Sequence, residues 1–258
     1  MVSLATGKAR FAAGLERLSR SLEQVGFDGI FAAWSDRFPR GCPTHFEVPF
    51  AFKPYCLVAA REAGAELVLW LDSSCVAVRP LDRLFAELDR SGYLLFRNGR
   101  WAVGEWASDE ALRRLGVTRD EAMAIPELNA AAIGLDLRNP TADAFLDRWY
   151  EEAQHGTAFR GVEEPLAGRG DYEAVKANRH RRVSDDPRVR GHRHDQTVAG
   201  VLAHRLGMQP TTVGLEVAMR RRRVFAAETS IVNLRGRSVR RLLRRLWRRP
   251  RTRFNMKP

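Results

Sequence analysis

The sequence predicts an α/β protein whose single domain has a mostly parallel central sheet flanked by helices. Short apolar runs alternate along the chain with segments whose apolar residues recur at helical spacing, and this alternation is typical of parallel sheets with crossover helices. The run at residues 66–72, ELVLWLD, is apolar on both faces, as in a central strand covered by helices on both sides. The length of 258 residues suits one large domain.

Five apolar runs predict the strands of this sheet. Each run is short, and each ends at or is followed by a glycine or a polar residue that can end a strand. The predicted strands cover residues 2–7, 29–34, 66–72, 93–98 and 131–137.

Helices are predicted between these strands and after the last one. In the first helix, Phe11, Leu15 and Leu18 recur at helical spacing. Pro54 suits the first turn of the second helix, whereas residues 120–125 are expected to form only a short turn. The predicted helices cover residues 9–24, 53–63, 80–88, 109–115, 141–153 and 195–206.

Two segments lack periodicity and are expected to be loops. Residues 35–50 contain three prolines. Residues 154–193 are polar and rich in glycine and charge, and a loop of this length inside a domain is usually functional. We therefore expect residues 154–193 to act as a lid that orders over a bound ligand.

The composition indicates a reducing compartment and predicts no membrane span. Cys42, Cys56 and Cys75 form no CxxC pair, and the last two lie in apolar contexts where a thiol acts as a small hydrophobic group. The first residues contain no apolar stretch typical of a signal peptide, and no run of about 18 apolar residues follows. These observations predict a cytoplasmic protein.

Positive charge is concentrated at the end of the chain. The net charge is +12, yet the segment from Arg220 onward holds 15 Lys and Arg residues against one acid, Glu228. Residues 1–219 then hold 28 basic and 30 acidic residues, so we expect no nucleic acid partner for the domain. The chain is accordingly divided into a domain at residues 1–218 and a basic C-terminal tail at residues 219–258.

Within the tail, residues 237–254 predict a basic amphipathic helix. Its apolar residues fall on one stripe and its arginines cover the other faces. Such helices bind anionic membrane surfaces, which would place the protein at the inner face of a membrane. Contact with nucleic acid, docking on the domain and a solvated extension are the alternatives. The apolar stripe consists of Val239, Leu242, Leu243, Leu246 and Trp247.

The main candidate for chemistry follows the strand at residues 66–72. Ligands of open α/β sheets bind beyond the carboxyl ends of the strands, and there the chain reads Asp72-Ser73-Ser74. A carboxylate that ends an apolar strand needs a partner. Asp72 is therefore expected either to cap the next turn or to hold a divalent cation or a ribose hydroxyl. The sequence contains no P-loop, GxGxxG, GxSxG or HExxH motif.

The order of segments around this strand resembles the core of GT-A fold glycosyltransferases. In those enzymes a helix precedes an apolar strand that ends in a short acidic motif, usually DxD, and a segment of pattern p-l-x-x-L-F follows. Residues 53–85 have that order. Residues 126–137 resemble the strand on the acceptor side, residues 145–149 the F-L-x-x-W helix, and residues 194–196 the late D-Q motif. The resemblance in element order covers residues 1–215.

The resemblance implies a GT-A-like, Rossmann-like nucleotide-diphospho-sugar transferase. It implies that Asp72 binds a divalent cation, Mn²⁺ or Mg²⁺, that bridges the two phosphates of the donor. The second acid of the DxD motif is here Ser74, a neutral and weaker ligand. Either Asp72 holds the cation with fewer protein ligands, or cations such as Lys53 neutralise the pyrophosphate. The alternative for Lys53 is a solvated lysine at a helix start.

Two further site residues are assigned through the resemblance. Asp195 is the candidate catalytic base for the acceptor hydroxyl, although an acid in the first turn of a helix also has a structural role. Asn129 is a candidate for binding the nucleotide-sugar, or it satisfies a turn before a strand. The histidines near Asp195 show no spacing typical of zinc sites.

One aromatic stretch is a candidate for binding a sugar ring. Trp101, Trp106 and Asp109 lie close together in the sequence, and aromatic faces with a carboxylate suit a sugar. The alternative is a core position, which we expect for one of the two tryptophans.

The predicted function is transfer of a sugar from a nucleotide-diphosphate donor to an acceptor hydroxyl. The acceptor is expected to be a glycan or a lipid-linked molecule. One alternative is a catalytically inactive nucleotide-sugar-binding protein of the same fold, in which loss of the second acid marks loss of activity. The other is a nucleic-acid-associated protein that acts through its basic tail.

Overall fold

Two sheets are present in the computed structural model, which describes residues 1–162, 183–211, 215–218 and 230–234. The strands of the central sheet are β1 (Val2–Ala5), β2 (Ala32–Ser35), β3 (Leu67–Leu71), β5 (Tyr93–Ala102) and β6 (Pro126–Asp136). The second sheet contains β4 (Cys75–Ala77), β7 (Leu215–Ala218) and β8 (Ile231–Leu234).

Helices cover both faces of the central sheet. They are α1 (Ala9–Gln24), α2 (Phe52–Glu62), α3 (Asp82–Ser91), α4 (Asp109–Leu115), α5 (Arg119–Ala124), α6 (Pro140–His155), α7 (Thr157–Arg160) and α8 (Asp195–Arg205). A short 3-10 helix at Val103–Trp106 follows β5. Within the described residues, no helix is both long enough and apolar enough to cross a membrane.

Four of the five strands in the central sheet run in the same direction. The strand order is β2-β1-β3-β6-β5, and β2 and β3 are parallel to β1. β6 is antiparallel to both β3 and β5, so β6 alone is reversed. The predicted α/β class and the helix-flanked, mostly parallel sheet are confirmed. The carboxyl ends of β3 and β5 meet the amino end of β6 at one edge, called here the C-terminal edge.

The core has one layer on each face of this sheet. Along β3, Val68 and Trp70 face α2, α6 and α8, whereas Leu69 and Leu71 face α1 and α3. All four side chains are buried, and their alternation follows from the two-residue period of a strand. An apolar strand buried on both faces thus delivers its first polar residue, Asp72, to the C-terminal edge.

The short turn expected at residues 120–125 is wrong, because α5 forms there. The Thr118 hydroxyl accepts a hydrogen bond from the Glu121 amide, and the Glu121 carboxylate accepts one from the Thr118 amide. This capping box stabilises the start of a helix.

β6 begins at Pro126, earlier than the predicted start at residue 131. Its first half pairs with an extended β5, with Arg97 opposite Leu128. Asn129 therefore lies inside a strand and not just before one. The extension depends on pairing between distant segments, which local patterns do not show.

The prediction of a continuous polar loop at residues 154–193 is wrong at both ends. α6 runs to His155 and α7 follows at once, with Phe159 completely buried. His192, near the other end, is also buried. These side chains anchor both ends of the segment on the core. Residues 163–182, the rest of the predicted lid, lie outside the described residues.

The assignment of residues 219–258 to a tail is wrong for residues 230–234. β8 pairs antiparallel with β4 and parallel with β7, and the Ser230 carbonyl accepts a hydrogen bond from the Val78 amide at 2.9 Å. Residues 230–234 read SIVNL and carry no charge, so they suit a buried strand between arginine-rich segments. The amphipathic helix predicted at residues 237–254 lies outside the described residues.

Helix α1 fixes the loop after β3 by a close backbone contact. A Cβ atom placed on Gly14 would lie 2.5 Å from the carbonyl oxygen of Ser73. On the far side of this loop, the Ser21 hydroxyl accepts a hydrogen bond from the amide of Ala77 at 3.0 Å. The position of Asp72 and Ser74 therefore depends on a glycine in α1.

Replacing this glycine tests the contact. Gly14→Ala is expected to lower the free energy of unfolding by about 1–3 kcal/mol, because overpacking outweighs the gain of about 1 kcal/mol in helix propensity. Urea unfolding followed by circular dichroism measures the change, with Ser19→Ala, which is only partly buried in the same helix, as the control. A gain in stability for Gly14→Ala would contradict the close packing of α1 on the loop.

Candidate functional site

A buried lysine joins two acids at the C-terminal edge. The Lys53 ammonium lies 3.0 Å from Asp72 Oδ1 and 2.7 Å from Asp195 Oδ2. It also donates a hydrogen bond to the Ala130 carbonyl oxygen at 2.7 Å. Three residues that the sequence singled out from distant segments therefore meet in one network, in which one positive charge faces two negative charges.

Lys53 is held in place by the start of α2 and by aromatic rings. Its side chain is only 2% exposed, so the alternative of a solvated lysine is wrong. Its ammonium lies 5.3 Å from the ring centre of Phe50 and 5.7 Å from that of Trp70. Burial by itself would lower the pKa of Lys53, but the charges of Asp195 and Asp72 outweigh this effect and raise the pKa above its ordinary value.

The two acids of this network differ in their access to a ligand. The Asp195 side chain is 4% exposed, whereas that of Asp72 is 31% exposed. Asp72 Oδ1 also accepts a hydrogen bond from Trp70 Nε1 at 3.0 Å. Both side-chain contacts of Asp72 within the described residues use Oδ1, so Oδ2 is the oxygen left for a ligand. Asp72 therefore suits contact with a bound molecule.

Ser74 is paired with a residue from the segment assigned to the tail. Its hydroxyl donates a hydrogen bond to Asn233 Oδ1 at 3.1 Å. Asn233 is buried in β8, in register with Cys75 of β4. Asn233 was missed by the sequence analysis. The uncharged run at residues 230–234 was the signal for a buried strand that could have revealed it.

The helix that carries Asp195 begins with strained backbone. His194 has φ of 48°, a conformation that costs about 1–3 kcal/mol for a residue with a side chain. Its Nδ1 donates a hydrogen bond to the Phe159 carbonyl oxygen at 2.8 Å. Phe50, which also has a positive φ of 65°, places its ring 5.5 Å from that of His194. Strain of this kind concentrates at functional sites.

Asn129 supports the same edge from within β6. Its Oδ1 accepts a hydrogen bond from the Ala131 amide at 3.2 Å, and its side chain is buried. It is next to Ala130, whose carbonyl oxygen accepts from Lys53. Asn129 thus adjoins the Lys53 network, while its predicted contact with a nucleotide-sugar remains a prediction.

A second polar group adjoins this network and was also missed. Glu127 is completely buried in β6 and pairs with Arg193. Asn98 donates a hydrogen bond to Glu127 Oε2 at 2.9 Å and lies 3.4 Å from Gln196 Oε1. Burial raises the pKa of Glu127 to about 7 despite Arg193 and Asn98, and the charge of Asp195 adds to the rise. A charged residue at the start of an apolar run was the only sequence signal.

The aromatic stretch divides as expected between core and surface. Trp106 is buried, whereas Trp101 is partly exposed. Their rings meet edge to face, with centroids 5.8 Å apart. Asp109 forms an ion pair with Arg119 at 2.5 Å, so Asp109 is not grouped with the two tryptophans.

The oxygen atoms at the C-terminal edge fit a divalent cation that takes most of its ligands from phosphate and water. Mg²⁺ is commonly held by one or two carboxylates together with substrate phosphates. Asp72 supplies the carboxylate, and Ser74 and Asn233 supply neutral oxygen atoms. In the described part of the chain, no group of three or more His, Cys, Asp and Glu residues is placed to hold a metal ion.

Comparison with known proteins gives no family and only distant structural likeness. No family profile and no curated protein matches the sequence. The galactosyltransferase LgtC, solved with donor and acceptor sugar analogs, has 13% identity over 92% of this chain and 87% of its own, with a TM-score of 0.41. The bifunctional glycosyltransferase WbbM has 11% identity over 92% of this chain and 45% of its own, with a TM-score of 0.41. Mouse xyloside xylosyltransferase 1 has 14% identity over 86% and 72%, with a TM-score of 0.37.

Removing the lysine tests the network. Lys53→Met is expected to lower the free energy of unfolding by about 3–5 kcal/mol, because two carboxylates lose their buried counter-charge. Lys53→Met combined with Asp195→Asn should recover part of the loss, since only one acid then remains. Urea unfolding compares both with Arg83→Met, which changes an exposed cation on α3. Equal stability of Lys53→Met and Arg83→Met would contradict the pairing.

The raised pKa of Glu127 predicts a dependence of stability on pH. Between about pH 4.5, the ordinary value, and about pH 7, the folded protein keeps a proton that the unfolded chain releases. Stability should therefore fall by about 3 kcal/mol as pH rises through this range, and stay level above it. Glu127→Gln keeps the shape without the titration. The difference in unfolding free energy between the wild type and Glu127→Gln, measured at pH 4.5, 6 and 8, should follow this course. A constant difference would mean that the pKa is not raised.

Proposed function

We propose that this protein is a glycosyltransferase that moves a sugar from a nucleotide-diphosphate donor to an acceptor hydroxyl. The observation that supports the proposal most directly is the convergence of Lys53, Asp72 and Asp195 at the C-terminal edge. Two acids and one cation leave a negative charge at the place where open α/β sheets bind ligands. That negative charge attracts a cation, and a bound cation can in turn bind the pyrophosphate of a donor.

In this proposal Asp72 and Ser74 face the pyrophosphate of the donor. Asp72 would hold Mn²⁺ or Mg²⁺ through its partly exposed carboxylate. Asn233 would keep the Ser74 hydroxyl in place from β8. When bound, the ion supplies positive charge that stabilises the leaving nucleoside diphosphate. Lys53 does not take over this part, because its three donors are directed at Asp72, Asp195 and the Ala130 carbonyl.

The nucleoside is expected near the first two strands. Asp36 directly follows β2 and has φ of 49°, and its carboxylate accepts a hydrogen bond from the Gly7 amide at 3.0 Å. This contact joins the loops after β1 and β2. The two loops lie at the same edge of the sheet as Asp72, because β1, β2 and β3 are parallel. A donor could therefore extend from these loops to Asp72.

Asp195 is proposed as the base that accepts the proton of the acceptor hydroxyl. The Lys53 ammonium contacts its carboxylate at 2.7 Å and holds it in place at the C-terminal edge. The strained His194 turn fixes the direction from which Asp195 enters the site. A group held this rigidly needs little reorganisation during the reaction.

The alternative of a nucleotide-sugar-binding protein without catalysis is favoured by one observation. The position of the second acid is taken by Ser74, which is already paired with Asn233. Such a protein would bind the donor with Mn²⁺ but would not turn it over.

Three further expectations remain predictions. Two of them, the action of the tail on nucleic acid and the membrane contact of residues 237–254, concern residues outside the described ones. The third is the cytoplasmic location.

Donor binding and turnover test the proposal together. A panel of uridine and guanosine diphosphate-sugars is titrated by calorimetry with Mn²⁺ or with EDTA, and release of nucleoside diphosphate is followed in parallel. Asp72→Asn should keep the fold but lower turnover by about 100-fold or more, since it removes a charge needed at the leaving group. Asp28→Asn is the charge-matched control, because Asp28 is an exposed acid in the loop that follows α1.

Three results are informative. Binding without release of nucleoside diphosphate would favour the non-catalytic alternative. No binding at millimolar donor concentration would contradict both the glycosyltransferase and the non-catalytic binding protein. Full turnover by Asp72→Asn would reduce Asp72 to a turn cap.

A further inference from the structure

A group of arginines surrounds one partly exposed tryptophan on the C-terminal edge. The guanidinium carbons of Arg100, Arg190 and Arg193 lie 6.0, 4.7 and 6.0 Å from the ring centre of Trp101. Trp106 packs edge-on against Trp101 and carries Arg193 on its own face at 3.5 Å. These five residues are called the Trp101 cluster.

The Trp101 cluster carries more positive charge than nearby acids balance. Arg190 lies 3.2 Å from Glu105, whose other carboxylate oxygen already accepts a backbone amide. Arg193 is paired with the buried Glu127. Arg100 is exposed and makes no ion pair within the described residues; its contact there is with the indole ring. One guanidinium at the surface is therefore available to an anion.

The geometry of the cluster suits a sugar that carries an acid. Arg100 lies at the exposed side of the cluster, and a guanidinium can bind a carboxylate or a phosphate with two hydrogen bonds. Trp101 is partly exposed, and an indole ring is an apolar surface on which a sugar ring can pack. Trp106 and Arg193 fix the indole from the protein side, so this surface is formed before a ligand arrives.

The cluster is joined to the segment of the proposed catalytic acid through side chains of β5, β6 and α8. Arg193 is two residues before Asp195 in the chain. Asn98 connects Glu127, the partner of Arg193, with Gln196 of α8. The cluster is thus linked to the segment that carries Asp195, and it lies on the opposite side of β6 from the loops after β1 and β2.

We infer that the Trp101 cluster is the subsite for an acidic acceptor saccharide, whose sugar ring packs on Trp101 and whose carboxylate or phosphate binds Arg100. The role of the saccharide as acceptor rests on the proposed function, whereas saccharide binding at this subsite does not require transfer. Charge complementarity selects an acidic over a neutral glycan.

Binding at the subsite is measured on the full chain by hydrogen exchange at 0.15 M salt. Hyaluronan tetrasaccharide supplies the carboxylate and phosphorylated mannopentaose the phosphate; chitotetraose and mannopentaose are their neutral counterparts. Peptides that cover residues 97–106 and 188–196 should gain protection with an acidic saccharide and much less with its neutral counterpart. The acidic saccharide that protects these peptides at the lower concentration shows whether the subsite prefers a carboxylate or a phosphate.

Variants separate the subsite from unspecific attraction to basic segments. Arg100→Gln should weaken the protecting interaction about 10-fold, the usual effect of losing one charge-assisted contact. Arg83→Gln removes an exposed arginine from α3 and should leave it unchanged. The inference would be overturned if neutral saccharides protected these peptides equally, or if protection were confined to other peptides. It would also be overturned if Arg100→Gln bound the acidic saccharide as tightly as the wild type does. Protection of the same peptides by a ten-residue thymidine oligonucleotide at lower concentration would also overturn it.

Failure of the subsite and failure of the transferase proposal give different results. Saccharide binding at the Trp101 cluster without release of nucleoside diphosphate would leave the subsite intact while the transferase proposal fails. Donor turnover that persists while Arg100→Gln and the wild type bind acidic saccharides equally would leave the transferase intact and refute the subsite.

Discussion

One ammonium group, buried between two carboxylates, fixes the arrangement of the C-terminal edge. Lys53 belongs to α2, Asp72 follows β3 and Asp195 opens α8, so three elements must stay aligned to within hydrogen-bonding distance. A buried charge costs several kcal/mol unless it is paired. The network therefore penalises any displacement of α2 or α8 relative to the sheet. The Ala130 carbonyl extends the same constraint to β6.

Charge divides the C-terminal edge into two parts of opposite sign. Around β3, two acids share a single lysine, and the partly exposed acid is Asp72. Around the ends of β5 and β6, arginines gather on Trp101 and only some of them are paired. The reversed direction of β6 is what brings these parts together, because its amino end meets the carboxyl ends of both neighbours. Glu127 lies between the two parts and pairs with Arg193.

Local patterns in the sequence predicted the elements well but not the contacts between distant ones. The burial of β3 on both faces followed from its apolar run, and the end of that run located Asp72. The role of Lys53 could not be predicted, because a lysine at a helix start is solvated unless two acids from other segments approach it. Glu127 and Asn233 were missed for the same reason: each acquires its partner from a segment that is distant in the sequence.

The pairing of Ser74 with Asn233 spans 159 residues of chain, which has a consequence for biosynthesis. β4 is an edge strand whose neighbour in the second sheet is β8. While the ribosome is still translating the segment before residue 231, β4 of the nascent chain presents unpaired backbone groups beside Asp72. Open strand edges attract other chains. The loop that holds Asp72 is therefore completed late in synthesis.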